Sequence, residues 1–189
     1  MKIDEQGRPV LETERLVLRA LEMSDAPRVG ELAGDKRIYD VTLLIPHPYT
    51  VKLAGEWVGK HPGFWERWRE DWTMVFGIRS KPDDALMGAI GLVGTPKHKR
   101  AEMGYWLGVP FWGNGYVTEA AKAVVEFAHG TLGVHRLEAC VFAGNVRSMS
   151  VLRKVGFVEE GLMKARFLKD GKFVDDWMFA NLAPGSRTS

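Results

Sequence analysis

The sequence predicts a single domain of mixed α/β class. Its 189 residues, of which 46% are hydrophobic, fall within the usual size range of one domain with one core. Segments with strand character alternate with amphipathic helical segments, and no repeat, low-complexity tract or interdomain linker separates them. Three successive strand-like segments joined by short polar loops indicate an antiparallel meander. We therefore expect one domain over residues 1–189.

The first half of the chain predicts one strand followed by helical segments. Residues 15–21 are typical of a strand, and this strand runs into a helix capped by Ser24, with Pro27 tolerated in the first helical turn. A second helical segment begins at Thr50 and is interrupted by the sequence HPG at residues 61–63. This segment is therefore expected to bend.

The second half of the chain predicts four further strands, two helices and a C-terminal hairpin. The strands cover residues 72–80, 86–94, 101–109 and 135–143. One helix covers residues 118–133, with its apolar residues on one stripe, and the other covers residues 145–156 and ends at Gly156. Residues 157–182 predict a hairpin that turns at Asp170 and Gly171, and the tail 183–189 is expected to be disordered.

Composition and charge exclude several classes of protein. With 26 basic and 24 acidic side chains, the net charge of +2 is too balanced for a protein whose main partner is nucleic acid. The first residues do not resemble a signal peptide, and the longest apolar runs are far short of the roughly 20 residues that span a bilayer. Cys140 is the only cysteine and cannot form an internal disulfide. We therefore expect a soluble, cytoplasmic protein that binds small molecules or proteins.

Two glycines one residue apart, Gly113 and Gly115, join the fourth predicted strand to the following helix. A helix start presents unpaired N–H groups and binds an anion most readily where no side chain blocks the approach. Tyr116 and Val117 stand where a Walker loop requires lysine and serine or threonine, and Thr118 stands where a Rossmann loop requires its third glycine. A pyrophosphate cradle fits best, and a simple tight turn is the alternative.

Several longer stretches carry a family resemblance. AEMGYWLGVPFWGNGYVTEA, GVHRLEACVFAGNVRSMSVLRKVGFVEEGLM and FLKDGKFVDDWMFANL together closely resemble the GNAT acetyltransferase superfamily, in the branch of the ribosomal-protein N-terminal acetyltransferases RimJ and RimL. The opening LETERLVLRAL is similar to that branch's first strand. The resemblance implies a central, mostly antiparallel, twisted sheet flanked by helices. It places the core at about residues 11–182, between a short flexible N-terminus and the tail.

The resemblance also implies acetyl-coenzyme A (acetyl-CoA) as the acetyl donor. The backbone amides that wrap its pyrophosphate would belong to Trp112, Gly113, Asn114, Gly115, Tyr116, Val117 and Thr118. Leu107 and Val109, on the preceding strand, would pair their backbone with the pantetheine arm, and Asn145 would reach the same region. Pro110 departs from the family's loop, which begins with glutamine or arginine, so the role of that one side chain is put in doubt.

Two residues are candidates for the chemistry of acetyl transfer. The reaction needs a neutral amine, a stabilised oxyanion and a thiolate that can leave. Ser148 matches a family position proposed as the general acid towards the thiolate, and Leu152 stands where many members carry a tyrosine acid. Because a thiol with a pKa of about 8.5 leaves readily, the acid should matter modestly. Glu102 is the candidate base, since it lies on the strand that leads to the cofactor segment, and a solvent-facing carboxylate is the alternative.

The acceptor is predicted to be a protein or peptide N-terminal α-amine, which has a pKa near 8 and is easier to deprotonate than a lysine near 10.4. A small amine such as a polyamine or an antibiotic is the alternative acceptor. Outside that class remain a non-catalytic CoA-binding sensor and a nucleotide-binding oxidoreductase. The family resemblance suggests a homodimer. Four tryptophans either wall an acceptor pocket or, as we favour, pack in the core: Trp57, Trp65, Trp68 and Trp72.

Three other features are given structural interpretations. Cys140 lies among apolar residues of a predicted strand and is expected to be an inert core residue. The five histidines show no paired metal-ligand spacing, so no metal is expected. The basic residues 97–100 could contact the 3′-phosphate of the coenzyme, but a solvated hairpin tip is favoured.

Overall fold

The computed structural model describes residues 1–185, which form one domain around a nine-stranded sheet. The strands are β1 (Lys2–Ile3), β2 (Pro9–Glu12), β3 (Leu16–Ala20), β4 (Met74–Ser80), β5 (Leu86–Thr95), β6 (Arg100–Leu107), β7 (Arg136–Phe142), β8 (Val158–Lys169) and β9 (Lys172–Leu182). The helices are α1 (Ala26–Ala33), α2 (Lys36–Tyr39), α3 (Val51–Val58), α4 (His61–Glu66), α5 (Trp68–Asp71), α6 (Tyr116–Phe127) and α7 (Val146–Lys154). Within these described residues, no helix is long and apolar enough to cross a membrane.

The sheet runs in the order β1-β2-β3-β4-β5-β6-β7-β9-β8. Every neighbouring pair is antiparallel except β6 and β7, which run parallel. The mixed α/β class, the mostly antiparallel sheet and the meander of β4, β5 and β6 are confirmed. The predicted tail begins inside the described region, and its last four residues, 186–189, lie outside it.

The start of the chain differs from the flexible N-terminus that the sequence predicts. β1 pairs with β2, and β2 extends the sheet by pairing Leu11 with Leu18 of β3. The turn between β1 and β2 is held by Asp4, whose carboxylate accepts hydrogen bonds from the Arg8 backbone at 2.8 Å and from the Arg8 side chain at 2.7 Å. A strand of two residues carries too little pattern to be found from sequence alone.

The predicted cap of the first helix is wrong by one residue. Ser24 lies inside a short 3-10 turn, and Asp25 accepts a hydrogen bond from the Glu22 backbone at 2.9 Å in a capping box. Asp25 is fixed there because it forms a buried ion pair with Arg79 of β4. Pro27 does lie in the first turn of α1, as predicted.

The two faces of the sheet build two hydrophobic clusters. The larger one packs α6 and α7 against the sheet and contains three of the four candidate tryptophans, Trp65, Trp68 and Trp72, all buried. The smaller cluster packs α1 and α3 against the other face, and Trp57 lies at its margin. Three of the four tryptophans therefore belong to the core, as the favoured interpretation has it, and Trp57 is only partly buried.

The C-terminal half follows its predicted pattern closely. α6 buries Ala121 and Val124 of the predicted stripe and continues into a π-helical turn that ends before Gly133. α7 is followed by Gly156, whose φ of +86° is the left-handed conformation that ends many helices. Asp170 and Gly171, with φ of +50° and +73°, form the predicted two-residue turn between β8 and β9.

The second helical segment is interrupted as expected, but at residues 59–60 rather than at 61–63, because Pro62 is accommodated in the first turn of α4. This break places a histidine in the core. α3 ends at Val58 and α4 begins at His61, which is fully buried against Trp57 and Phe64. Neither ring nitrogen of His61 has a hydrogen-bond partner among the described residues. Burial lowers the pKa of His61 to about 4, so the ring is neutral in the folded protein at neutral pH.

This histidine should make stability depend on pH. The folded pKa of about 4 lies below the ordinary value of 6.5, so as pH falls below 6.5 the unfolded chain takes up a proton that the folded chain cannot. His61 should therefore lower the free energy of unfolding by about 2 to 3 kcal/mol between pH 7 and pH 4.5. Denaturant titration of wild type and His61→Phe at both pH values measures this loss. His98→Gln, on an exposed turn, is the control, and an equal acid loss in wild type and His61→Phe would contradict the assignment.

Candidate active site

A glycine loop, residues 112–118, connects the end of β6 with α6. Gly113 and Gly115 have φ of +82° and +78°, a left-handed backbone that favours glycine. A Cβ placed on Gly113 would meet no described atom within 4 Å, and one on Gly115 would meet only the Arg15 guanidinium at 3.6 Å. Backbone conformation, rather than crowding, thus requires these glycines, and the space beside them is open.

The first turn of α6 faces this open space with uncapped N–H groups. The first intrahelical bond runs from Glu119 N–H to Gly115 O at 3.0 Å, and no side chain of the described chain caps the helix. The N–H groups of residues 116–118 precede that bond and carry the positive end of the helix dipole. Loop and helix start together form a site whose chemistry fits a phosphate group.

Arg15, at the start of β3, ties the glycine loop to the rest of the sheet. Its side chain donates to the Glu119 carboxylate at 2.7 Å and to the Asn114 carbonyl at 3.1 Å, and its guanidinium lies 4.6 Å from the centre of the Tyr116 ring. Its backbone N–H also donates to Glu119 at 2.9 Å. Sequence reasoning missed this residue because almost 100 positions separate it from the loop.

A second cation lies on the other side of the loop. The exposed guanidinium of Arg147, in the first turn of α7, lies 5.1 Å from the centre of the Trp112 ring. Trp112 in turn donates its indole N–H to the Leu107 carbonyl at 2.7 Å. Asn145 is the N-cap of α7, as predicted, and its Oδ1 accepts from the Ser148 backbone at 3.2 Å. Two helix starts and two arginines therefore meet at the glycine loop.

The parallel strands β6 and β7 separate before they reach the glycine loop. They pair only through residues 100–102 and 136–138, and beyond Glu102 and Glu138 the ladder stops while β7 continues to pair with β9. The result is a wedge between the two strands, narrow at Glu102 and wide near the glycine loop. The sequence does not show this separation, because it is set by how the strands twist over α6 and α7.

One of the two residues predicted to pair their backbone with the pantetheine arm is not on the strand where the sequence places it. Leu107 is the last residue of β6, but Val109 lies in a 3-10 turn (Val109–Phe111) and accepts a hydrogen bond from Trp112 N–H at 3.1 Å. Gly108 N–H still bonds to Met87 of β5, and the ladder stops beyond it, where Pro110 has no N–H to continue it. Only β6 up to Leu107 is extended beside the wedge.

Glu102 lies at the narrow end of the wedge. It lies directly opposite Glu138 of β7, so the two side chains point to the same face of the sheet. Strand alternation and register place Cys140 of β7 and Asp176 of β9 on that face as well. Glu102 is accessible to solvent, and its carboxylate makes no hydrogen bond or ion pair within residues 1–185. Partial burial of this carboxylate raises its pKa, and the nearby positive charge of Arg166 opposes the rise.

Ser148 lies on the other side of the sheet, where it meets a residue that sequence reasoning did not single out. Its Oγ is 2.7 Å from the hydroxyl of Tyr105, which lies on β6 three residues from Glu102 and points to the opposite face. Burial raises the pKa of Tyr105 to about 12, and the hydrogen bond with Ser148 opposes the rise. Leu152, in the usual tyrosine position, is fully buried in the core.

Comparison with known proteins identifies the family. A family profile described as "Acetyltransferase (GNAT) domain" matches residues 15–158. The chain belongs to the GNAT acetyltransferase family. "Probable N-acetyltransferase YjcK" of Bacillus subtilis (strain 168) is 31% identical over 180 residues, which cover 93% of this chain and 98% of that protein.

More distant relatives include ribosomal-protein acetyltransferases, in agreement with the resemblance to RimJ and RimL. The ribosomal protein uS5-alanine N-acetyltransferase of Escherichia coli (strain K12) is 24% identical, over 92% of this chain and 91% of that protein. The structure of RimL, a ribosomal L7/L12 alpha-N-protein acetyltransferase in complex with coenzyme A, matches with a TM-score of 0.84 at 22% identity. It covers 94% of this chain and all of that chain, and it shows the same fold.

This GNAT protein is an acetyl-CoA-dependent N-acetyltransferase. Its glycine loop fits the coenzyme, since the open space beside Gly113 and Gly115 is where a pyrophosphate would have to lie against backbone N–H groups. Residues 1–185 contain no group of three or more side chains placed to hold a metal ion. A wide concavity of about 560 Å³ lies elsewhere, beside His129 and Asn181 at the far end of α6, and takes no part in this site.

Two other expectations about this GNAT domain have clear outcomes. Cys140 is not in the core: its side chain is half-buried on the face that carries Glu102, and it accepts a hydrogen bond from Arg166 at 2.7 Å. The strand alternates, so its odd-numbered residues fill the core instead. Burial raises the pKa of the Cys140 thiol to about 11. Residues 97–100 form an exposed turn at the end of β6 that is remote from the glycine loop, since β6 itself is roughly 24 Å long at 3.4 Å per residue.

The face of the sheet that carries Glu102 is bounded by the tip of the β8–β9 hairpin. Lys169 donates from Nζ to the carbonyls of Tyr39 and Thr42 at 2.7 and 2.6 Å, and the Tyr39 hydroxyl donates to the Asp170 carboxylate. These bonds join the hairpin tip to α2. The face that carries Glu102 thus lies between the hairpin and the layer formed by α1, α2 and α3, and we call this space the acceptor cleft.

Proposed function

We propose that this N-acetyltransferase acts on the α-amine of a protein or peptide N-terminus. The observation that carries the proposal is Glu102, a solvent-accessible carboxylate without a partner, with a raised pKa, at the narrow end of the wedge. A raised pKa makes Glu102 a stronger base, and an α-amine with a pKa near 8 needs less help than a lysine near 10.4. The ribosomal-protein acetyltransferases among the relatives support the same acceptor class.

We further propose which residues hold acetyl-CoA, which supplies the acetyl thioester. The backbone N–H groups of residues 113–118 bind the pyrophosphate, while the Trp112 N–H is already bonded to Val109, and Arg15 and Arg147 add positive charge. The extended backbone of residues 103–107 pairs with the pantetheine arm like an added strand, and Val109 takes no part in that pairing. Asn145 contributes its Nδ2, which makes no hydrogen bond within the described chain.

The two faces of the sheet divide the chemistry. Glu102 accepts a proton from the incoming amine on the acceptor-cleft face, while Tyr105 and Ser148 lie on the α7 face, towards the sulfur that must leave. A phenol with a pKa of about 12 does not fully protonate a thiolate whose own pKa is about 8.5. The Tyr105 and Ser148 pair therefore acts by donating a hydrogen bond to the departing sulfur, which refines the general-acid role expected of Ser148.

Removal of either hydroxyl should lower turnover more than binding. Ser148→Ala and Tyr105→Phe should each reduce kcat about tenfold, or about 1.4 kcal/mol, with the Kd for acetyl-CoA nearly unchanged. Because the hydroxyls bond each other, the double variant should lose less than the sum of the single losses. Steady-state kinetics and calorimetric titration with acetyl-CoA measure both quantities. Ser150→Ala, on the same helix, is the control, and a loss confined to KM would make Ser148 a binding residue.

An acceptor screen tests the proposed function. Purified protein and acetyl-CoA are incubated with a peptide that has a free N-terminus, the same peptide with a blocked N-terminus and an internal lysine, and spermidine, and release of free CoA thiol is followed. We expect release with the free N-terminus only. Release with spermidine alone would establish the small-amine alternative, and binding of acetyl-CoA without any release would favour the CoA-binding sensor. The dimeric state and cytoplasmic location expected from the sequence stay predictions.

A further inference from the structure

The acceptor cleft contains a fixed positive charge. Arg166 of β8 donates from Nη1 to the Asp176 carboxylate at 2.8 Å and to the Cys140 sulfur at 2.7 Å. Asp176 is almost fully buried at 1% exposure, and Arg166 is the positive charge with the largest effect on Glu102. The guanidinium thus lies among the groups that an incoming ammonium would meet.

The backbone holds Arg166 in this position. The pairing of β8 with β9 shifts register between Met163 and Phe167, and Ala165 within that bulge has a φ of +51°. Asp175 fixes the bulge by accepting from the Ala165 N–H at 2.9 Å and from Lys164 Nζ at 2.7 Å. An irregularity of this kind re-aims a side chain, and here it directs Arg166 across the strand towards Cys140.

The charges in the cleft leave one carboxylate uncompensated. Glu138 is paired with Arg136 at 2.6 Å and lies 3.6 Å from Arg100. Asp176 is paired with Arg166, and Glu102 has no ion pair within the described chain. The cleft therefore offers one free negative charge to an acceptor, beside a guanidinium that repels any second positive charge.

We propose that Arg166 sets the charge of the acceptor, so that the cleft admits an amine with a single positive charge and rejects polyamines. The proposal rests on the proposed function and deepens it, because it explains why an N-terminal α-amine is preferred to a small polycation. Arg166 acts through the electrostatic field of the cleft. If its only role were to satisfy Asp176, its removal would lower stability without changing the preference between acceptors.

Two substitutions should move acceptor preference in opposite directions. Arg166→Gln keeps an N–H donor for Asp176 but removes the charge, and it should raise the ratio of kcat/KM for spermidine over that for an N-terminal peptide at least tenfold. Asp176→Asn leaves Arg166 without its counter-ion and should lower the same ratio. The assays are run at pH 8.5, which keeps the carboxylates of Glu102 and Asp176 ionised although burial raises the pKa of each.

Two matched variants separate the effect of the Arg166 charge from a general effect on the structure. Arg166→Lys preserves the charge and should keep the wild-type ratio. Lys164→Gln removes the same charge two residues away, from an ion pair with Asp175 that is outside the cleft, and should also leave the ratio unchanged. A ratio that is the same in wild type, Arg166→Gln and Asp176→Asn overturns the proposal, as does an equal change in Lys164→Gln.

A second measurement does not depend on turnover. Cys140 lies in the cleft, so spermidine bound there should slow its alkylation by iodoacetamide in Arg166→Gln and not in wild type. Equal protection in both proteins overturns the role of Arg166 even if neither acceptor is acetylated. Absence of acetylation with acetyl-CoA bound and with the expected protection pattern would instead reject the proposed function and leave the charge selection standing.

Discussion

Glu102→Gln should lower kcat/KM for an N-terminal peptide by about 10² to 10⁴-fold near pH 7, and most of this loss should disappear near pH 9. A base is needed most while the amine is still protonated. Above its pKa of about 8, an α-amine is mostly neutral in solution and the missing carboxylate matters less. A lysine-like acceptor with a pKa near 10.4 should recover little over the same range.

The acid side of the profile of kcat/KM against pH provides a second test of Glu102. Glu102 must be ionised to accept a proton, and its pKa lies above the ordinary value of a glutamate because of partial burial. The wild-type rate should therefore fall as pH drops through that raised pKa, and wild type and variant should converge there. Since Arg166 opposes the rise, Arg166→Gln should move the acid limb of the wild-type profile to higher pH.

A neighbouring carboxylate provides the control. Glu138 lies directly opposite Glu102 in the parallel ladder and is paired with Arg136, so Glu138→Gln should keep the rate near pH 7. It should move the acid limb to lower pH, because the negative charge of Glu138 contributes to raising the pKa of Glu102. The experiment measures kcat/KM against pH for wild type, Glu102→Gln and Glu138→Gln, with both α-amine and lysine peptides as acceptors. A parallel drop of Glu102→Gln at every pH would mark Glu102 as orienting or structural, and no drop would return it to a solvent-facing carboxylate.

Gly115→Val should weaken binding of acetyl-CoA at least tenfold, or about 1.4 kcal/mol. The branched side chain would enter the space beside the first turn of α6, where the only described atom within 4 Å of a Cβ is on Arg15. The substitution also strains the backbone, because Gly115 has a φ of +78°. The affinity of Gly115→Val for acetyl-CoA must therefore be compared with that of a variant whose backbone is strained to the same extent.

Gly133 provides that comparison. It follows the far end of the same helical segment with a φ of +72°, and a Cβ there meets no described atom within 4 Å. Gly133→Val should match Gly115→Val in lost thermal stability but bind acetyl-CoA like wild type, as titration calorimetry and thermal unfolding will measure. Wild-type affinity in a folded Gly115→Val variant would refute the assignment of the glycine loop to the pyrophosphate.

The sequence predicted those features of the site that are local in the chain. The glycine-containing connection between β6 and α6, the helix start at Asn145 and the turn at Asp170 and Gly171 each depend on a few consecutive residues. Such residues carry their conformational preference with them, so spacing alone was informative. The prediction failed where a long-range contact overrode the local pattern. The buried ion pair with Arg79 holds Asp25, rather than Ser24, at the position that precedes α1.

Only the tertiary structure decided how these local pieces form a site. The separation of β6 from β7 beyond Glu102 and the bond of Tyr105 to Ser148 depend on elements that are far apart in the chain. The contact of Arg166 with Asp176 depends on the register shift between β8 and β9. The pairing of the strands, the packing of α7 against β6 and the bulge in β8 set these contacts, and no residue pattern of a single segment encodes them. The sequence by itself thus determined the family and predicted a coenzyme loop and a candidate base, while the fold determined which groups surround Glu102 and hence the charge that the cleft presents.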